Sequence, residues 1–424
     1  MPHVPPSAVL RRSFVLAMVA LFALSSTAGG GASRSGSDSE EVVIGAALDL
    51  SAGWTSLGRA SRVTLDLAVR DANAALARTG SATRVQLRVV DTKGTPAGSL
   101  RAVRNLASQG VTIVIGPQTS SGVAEVRLRL RRPGMTIISQ GSTAHSLAIA
   151  GDNVFRFVPD DVREGEAMVA LLRRDGVDAV VPVWRRDAGN AGLARSVRMQ
   201  FRPHGRVAKG VGYSESVTNF TPVVSAVAAQ VAQLKAAGAK RVAVYLAGFD
   251  EVVDLFRVAR REATLSATRW YGSDGVALTT RLIHDRSAAA FAHAVGYPNP
   301  TVGLSDSVLR RARPLIRRAR ARLGREPDAL ALGAYDALRI AVDASERAGE
   351  TSGSVFRRSL VAVANNHDGA TGRMVLNSAG DRAYGSYDFW SVCPAGGAAF
   401  GWERLLTYVA NRVGQGRVVS HGRC

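Results

Sequence analysis

From Val42 onward the chain repeats one pattern: a short run of apolar, β-branched residues, a few small polar residues, then a longer amphipathic stretch. Runs of this type lie at 42–48, 84–91, 112–115, 135–138, 179–183, 207–211, 242–246 and 269–271. They read as strands because branched side chains favour a pleated, buried surface. Between them, 57–78, 122–130, 165–174, 192–201, 222–236 and 252–261 carry helical spacing. In the first of these, Leu65, Ala68, Val69, Ala72 and Leu76 fall on one face. Thr95-Pro96 reads as a helix cap followed by proline at the first helical position. Strands alternating with helices predict βαβ units and parallel sheets. The runs are too many for one comfortable sheet, so the expected class is α/β, with two doubly wound parallel-sheet lobes joined by a hinge.

The second half changes character. Stretches 305–323 and 328–347 read as two long helices with no strand between, and strand-like runs return at 373–376 and 387–392. This is the pattern of a chain crossing from one lobe back to the other. The expected division is 42–160 with 297–385 as the N-terminal lobe, and 161–296 with 386–424 as the C-terminal lobe.

The ends carry a different message. Arg11 and Arg12 precede the apolar stretch 14–24, and small residues occupy 25–32. That order matches a secretory signal over 1–28, cut after Ala28, with a Gly/Ser-rich leader over 29–41. An uncleaved anchor is the alternative. No cysteine lies near the cut, which excludes an N-terminal-cysteine lipoprotein, and the expected location is periplasmic or on the outer face of the membrane. Cys393 and Cys424 are the two cysteines, and in an exported chain they predict one disulfide closing the tail. Without paired histidines nearby they make no zinc site.

A formal net charge of +20 raises the question of nucleic acid or an anionic surface. The basic residues are almost all arginine and are scattered through expected helices. The densest run, Arg310, Arg311, Arg313, Arg317, Arg318, Arg320, Arg322 and Arg325, falls around both faces of a helix, with no interleaved aromatics. A solvated surface is the expected role, attraction to an acidic membrane or wall polymer the alternative, and nucleic acid is not an expected partner.

Ligands of parallel α/β sheets bind where strand C-termini meet helix N-termini. Three such loops here are small and polar: Gly116 to Gly122, Ser139 to Thr143, and Gly272 to Gly275. The first two follow successive strands and can lie side by side. Backbone N–H groups at a helix start, with the Ser120 and Thr143 hydroxyls, suit a carboxylate. Asp274 offers a counter-charge to an ammonium, and together these make a zwitterion trap. Taken singly, Ser120 and Thr143 read first as helix caps and Asp274 as a turn residue, and only their joint placement favours a binding site.

The stretch Val43-Ile44-Gly45-Ala46-Ala47-Leu48-Asp49-Leu50-Ser51-Ala52-Gly53 resembles the opening strand and loop of the leucine/isoleucine/valine-binding protein family. Ile115-Gly116-Pro117 with Ser120-Ser121, and Gly141-Ser142-Thr143, resemble its carboxylate-binding loops. Gly192-Leu193-Ala194-Arg195, Gly324-Arg325-Glu326-Pro327 and Ala334-Tyr335-Asp336-Ala337 also fit its pattern, from about Val42 to Trp390. The resemblance implies a type I periplasmic binding fold. It further implies ligand contacts at Ser120, Gly141 and Thr143 for the α-carboxylate and at Asp274 for the α-ammonium, where a family member has glutamate. Phe249, or its neighbour Asp250, falls where an aromatic residue closes the pocket from the second lobe. Leu57 and Gly189 replace tyrosines of that relative, which leaves ligand identity open, with Trp54 or Trp184 as candidates to fill the space. The implied function is the solute-binding component of an ABC importer, capturing a branched-chain or related amino acid as a monomer. It uses no cofactor and presents the closed clamp to a membrane permease.

Two other classes remain open on the residues. An enzyme would need a constellation that is missing here, since the histidines are dispersed and no Gly-x-Ser-x-Gly or His-Glu-x-x-His motif occurs. His145, beside Thr143, reads as a solvated loop residue. A membrane-tethered ligand-sensing domain would share the clamp fold, and a binder of amides, urea or small carboxylates would share the scaffold.

Overall fold

In β1 (Glu41–Leu48), Ile44, Ala46 and Leu48 point to one face of a sheet and Ala47 to the other, and both sets are buried. A strand buried on both faces belongs to a parallel sheet covered by helices on each side. The computed structural model describes residues 41–130, 134–410 and 416–424, so the expected signal (1–28) and nearly all of the leader lie outside the described residues.

The first sheet adds β2 (Arg84–Asp91), β3 (Ile113–Ile115), β4 (Thr136–Ser139) and β5 (Val154–Arg156) in the order β2-β1-β3-β4-β5, all pairs parallel. One face packs on α1 (Thr55–Arg78), through Leu65, Ala68 and Ala72. The other packs on α2 (Pro96–Ser108) and α3 (Ser120–Arg129), through Val103, Leu106, Val123 and Val126. Thr95 caps α2 by accepting from the Gly98 N–H, with Pro96 at the first helical position, as its sequence predicts.

After α4 (Asp161–Arg174), β6 (Ala179–Arg185), α5 (Ala188–Phe201), β7 (Arg206–Val207) and β8 (Val211–Tyr213) begin a second sheet. It continues through α6 (Thr221–Ala236), β9 (Val242–Ala247), α7 (Val252–Ala259), α8 (Ala263–Ser266) and β10 (Arg269–Tyr271). Its order is β10-β9-β6-β7, with β8 also on β6, and all these pairs are parallel. Val181, Val183, Val244 and Leu246 face α6, α7 and the later helices, while Val180, Ala243 and Tyr245 face α4 and α5. The strand expected over 207–211 is two strands, because Gly210 at φ +80° interrupts it beside the Pro182 carbonyl.

The return crossing runs through α9 (Thr280–His284), α10 (Arg286–Val295), β11 (Asn299–Gly303), α11 (Asp306–Leu323) and α12 (Ala329–Ala348). It ends in α13 (Gly353–Asn366), and α12 and α13 complete the core of the first sheet through Ala334, Leu338, Ile340, Phe356 and Leu360. The strand expected over 373–376 reduces to a small hairpin of β12 (Asp368–Gly369) and β13 (Gly372–Arg373), plus an isolated bridge between Leu376 and Arg382. The chain then enters β14 (Ser386–Pro394), β15 (Phe400–Val409) and β16 (Arg417–Ser420), an antiparallel sheet in the order β11-β14-β15-β16. Tyr387, Phe389 and Tyr408 from this sheet pack with α4 and α5. Cys393 and Cys424 form the expected disulfide, tying β14 to the segment after β16.

The arginine run departs from expectation. Arg310, Arg311, Arg313, Arg317, Arg318, Arg320 and Arg322 are all exposed while Ala312, Leu315 and Ala319 are buried, so they occupy one solvent-facing side of α11 rather than both faces. Arg325, beyond the helix, turns inward and donates to the Ser56 carbonyl at 2.9 Å.

Candidate functional site

The site is organised at the switch point of the first sheet, where the loops after β1 and β3 diverge. Gly116, at φ +91°, lets the β3 loop pass so close to β1 that a Cβ would stand 2.2 Å from the Ala47 carbonyl. Gln118 then ties the loops together, accepting from the Asp49 N–H at 3.1 Å and donating to the Trp54 carbonyl at 2.8 Å. The two polar loops after β3 and β4 lie side by side as expected. The Ser142 hydroxyl donates to Ser120 Oγ at 3.1 Å, and the Ala144 N–H donates to the same oxygen at 3.1 Å. Thr119, not Ser120, caps α3, which frees Ser120 from a capping role.

Arg156 anchors this floor from beneath. It is 1% exposed, forms a two-pronged pair with Asp381 (2.6 Å from Nε and 2.5 Å from Nη2), and donates to the Ala144 carbonyl at 2.6 Å. A planar guanidinium satisfied on both sides fixes the loop from Ser142 to Ala144 against the sheet.

The second lobe meets this floor at several points. Phe249 stacks on Trp54, with ring centroids 4.7 Å apart and planes at 24°, and the Arg185 guanidinium covers the same Phe249 ring at 5.1 Å. Asp250 accepts from the Ser56 hydroxyl at 3.0 Å. The Ala188 N–H donates to Ser121 Oγ at 3.0 Å. Gly189 lies against Ser120, where a Cβ would stand 3.3 Å from Oγ. Gly141 is equally constrained: a Cβ would come within 2.8 Å of the Gln118 carbonyl, 3.1 Å of Leu57 and 3.2 Å of Trp54. Trp54 therefore fills the space beside the floor. Trp184 instead packs on the outer side of the second lobe, against Gly210 and Gly212 with Arg198 at 6.0 Å from its ring.

Asp274 is buried, but not alone. Its N–H donates to Glu164 Oε1 at 3.2 Å, and Asp161 stands within electrostatic reach of both carboxyls. Burial pushes Asp274 up to about 7, and holds Asp161 and Glu164 well above the usual carboxylate range, their mutual repulsion adding to it. The Thr143 hydroxyl lies close enough to Asp161 to ease its ionisation without completing a hydrogen bond. Burial likewise raises Asp187 and Asp250 to about 6 each, and the bonds from Asn190 and Ser56 moderate the rise.

Ser120, Gly141 and Thr143 are thus brought together in one lobe, Phe249 and Asp250 close against Trp54 and Ser56, and Asp274 sits with Asp161 and Glu164. A cleft of about 560 Å³ opens outward from this closure, with Ser51, Arg59 and Lys93 on one side and Arg185, Glu251 and His284 on the other. His145 is exposed and bonds Asp160 at 2.6 Å. Among the described residues there is no group of His, Cys, Asp and Glu fit to hold a metal.

Reading the sequence alone missed Ser56, Arg156, Asp161, Glu164 and Arg185. The available signal was Asp160-Asp161 before an amphipathic stretch, which places the start of α4 at Asp161 rather than Gly165 and brings both acids into its first turn.

The family model described as periplasmic binding protein matches residues 41–395. The chain belongs to the periplasmic binding protein family. Its curated relatives include an uncharacterised protein of Methanocaldococcus jannaschii, 26% identical over 391 residues, covering 87% of this chain and 91% of that protein. Among solved structures, the branched-chain amino acid transporter substrate-binding protein LivJ of Streptococcus pneumoniae, in complex with isoleucine, superposes with a TM-score of 0.70 at 19% identity, over 90% of this chain and 100% of that one. An ABC transporter solute-binding protein of Rhodopseudomonas palustris in complex with benzoate superposes with a TM-score of 0.66 at 18% identity, over 86% of this chain and 96% of that one. The fold of this periplasmic binding protein is the type I clamp that its sequence motifs resemble. Among the described residues, no helix is long and apolar enough to cross a membrane.

Proposed function

We propose that this protein is the extracytoplasmic solute-binding component of an ABC importer and captures a small amino acid between its two lobes. The observation that carries this reading is the joining of two hydroxyl-rich loops at Ser120 and Ser142 with a buried carboxylate, Asp274, contributed by the other lobe. The ligand's carboxylate meets Ser120, the backbone around Gly141 and Thr143, where hydrogen bonds and the helix start stabilise negative charge. Its ammonium meets Asp274. Phe249 and Asp250 act as the closing contacts, because each touches the opposite lobe and can do so only when the clamp is shut. The closed form is then the one that a membrane permease reads, and it performs no chemistry on the ligand. The isoleucine held by LivJ supports an amino acid as the ligand class.

The test is a thermal-shift and calorimetric screen of the purified protein against amino acids, amides, ureas and small carboxylates. A ligand at a hundred times its dissociation constant adds about 2.7 kcal/mol and raises the melting temperature visibly. Asp274→Ala abolishes amino-acid binding and leaves the fold intact, because the buried ammonium loses its partner. Binding confined to amides or carboxylates, or an unchanged affinity in the variant, rejects the assignment.

A further inference from the structure

Asp161, Glu164 and Asp274 form a group of three buried carboxyls, 1%, 1% and 8% exposed, with no ion-pair partner among the described residues. The cation within electrostatic reach of Asp161, Arg156, is already engaged with Asp381. Both carboxylate oxygens of Asp161 lack a hydrogen-bond partner. The fully buried Tyr245 hydroxyl also lacks one, and this unpartnered donor lies within electrostatic reach of Glu164, Asp274 and Asp161. Buried charge is retained only when paired or protonated. One α-ammonium balances one carboxylate and leaves two.

We propose that the site between the Ser120 and Gly141 loops and this acidic group selects a ligand bearing two cationic groups, of which the simplest is an amino acid with a basic side chain. This rests on the amino-acid reading above. Its carboxylate stays at the Ser120 and Gly141 loops, and its two cations share Asp161, Glu164 and Asp274, with the Tyr245 hydroxyl free to orient the nearest carboxylate. Protons held by the three carboxyls before binding leave when the second cation arrives, so binding of a basic amino acid releases protons to buffer.

The experiment is isothermal titration of the full chain with lysine, ornithine and arginine against leucine and isoleucine, in buffers of different ionisation heat. The expected result is a preference of about tenfold or more for at least one basic amino acid, with an apparent enthalpy that changes with buffer. Glu164→Gln and Asp161→Asn each narrow the preference, and Glu164→Gln keeps the side-chain volume so that folding is preserved. Leucine or isoleucine binding as tightly as every basic ligand overturns the proposal while the amino-acid reading stands. Proton-neutral binding of the basic ligands overturns it as well. Failure of all amino acids to bind removes the amino-acid reading and this proposal together.

Discussion

Phe249 lies between Trp54 of the first lobe and Arg185 of its own, ring against ring on one side at 4.7 Å and under a guanidinium on the other at 5.1 Å. This three-layer stack is where the lobes meet through apolar surface. Offset aromatic pairs contribute about 0.5–1.5 kcal/mol beyond their buried area. Phe249→Ala is expected to weaken ligand binding by about tenfold or more, because closure loses its main apolar contact. A double-mutant cycle with Trp54→Ala, read by calorimetry, should return a coupling of about 1 kcal/mol. Additive losses would mean that the two rings do not act together.

Arg156 and Asp381 make the most buried ion pair of the floor, 1% and 2% exposed. Removing one partner leaves the other charge unpaired in the interior, at a cost of about 3–5 kcal/mol. Arg156→Ala should therefore lower the melting temperature strongly, while Arg156→Ala with Asp381→Ala recovers part of the loss. Circular dichroism melts decide this, and a double variant less stable than the single one would reject the pairing argument.

The pH dependence of stability follows from carboxyls raised by burial. A group whose folded value lies above its unfolded one holds its proton longer in the native state, so stability falls as pH rises between the two values. For Asp274, raised to about 7, and Asp187 and Asp250, raised to about 6, that window runs from about pH 4 to about pH 7. Carboxyls that are lowered, such as Asp71 beside Arg318, stabilise above their ordinary range and lose that contribution only in acid below it. The ligand-free protein should thus melt higher near pH 5 than near pH 8, and Asp274→Asn should flatten the slope. A melting temperature that climbs through this window would contradict the prediction.

Cys393 and Cys424 are 31 residues apart in sequence and cross-link the tail. Closing a loop of this length restricts the unfolded chain by about 3–4 kcal/mol. Cys393→Ser with Cys424→Ser should lower thermal stability and leave ligand affinity nearly unchanged, because the bridge lies on the antiparallel sheet away from the Ser120 floor. An affinity loss larger than about threefold in calorimetry would place the tail in the binding cycle.

Much of the scaffold was legible because parallel sheets need strands buried on both faces, and such strands stand out as short apolar runs. The runs that became β1, β3, β4, β6 and β9 were readable in this way, while β2, only partly buried, was legible from its alternation and β10 as a short run before a polar loop. β5, β11, β15, β16, α10 and α13 were not. Val154–Arg156 carries a buried arginine where a core strand is expected to be apolar, and Asn299–Gly303 contains proline and glycine. Such segments become strands only through neighbours already in place.

The sequence by itself determined the two-lobed class, the polar loops at the strand ends and the cysteine pair, since all three follow from local composition and spacing. Tertiary structure alone decided which polar groups share a site. Ser56 and Asp250 are 194 residues apart and Arg156 and Asp381 are 225 apart, so neither pair leaves a local signal. The same holds for the acidic group. Asp161 and Glu164 read as ordinary first-turn helix acids until the fold brings Asp274 against them and removes water from all three, and only burial turns a common helix start into a cluster of carboxyls that hold their protons above the usual range.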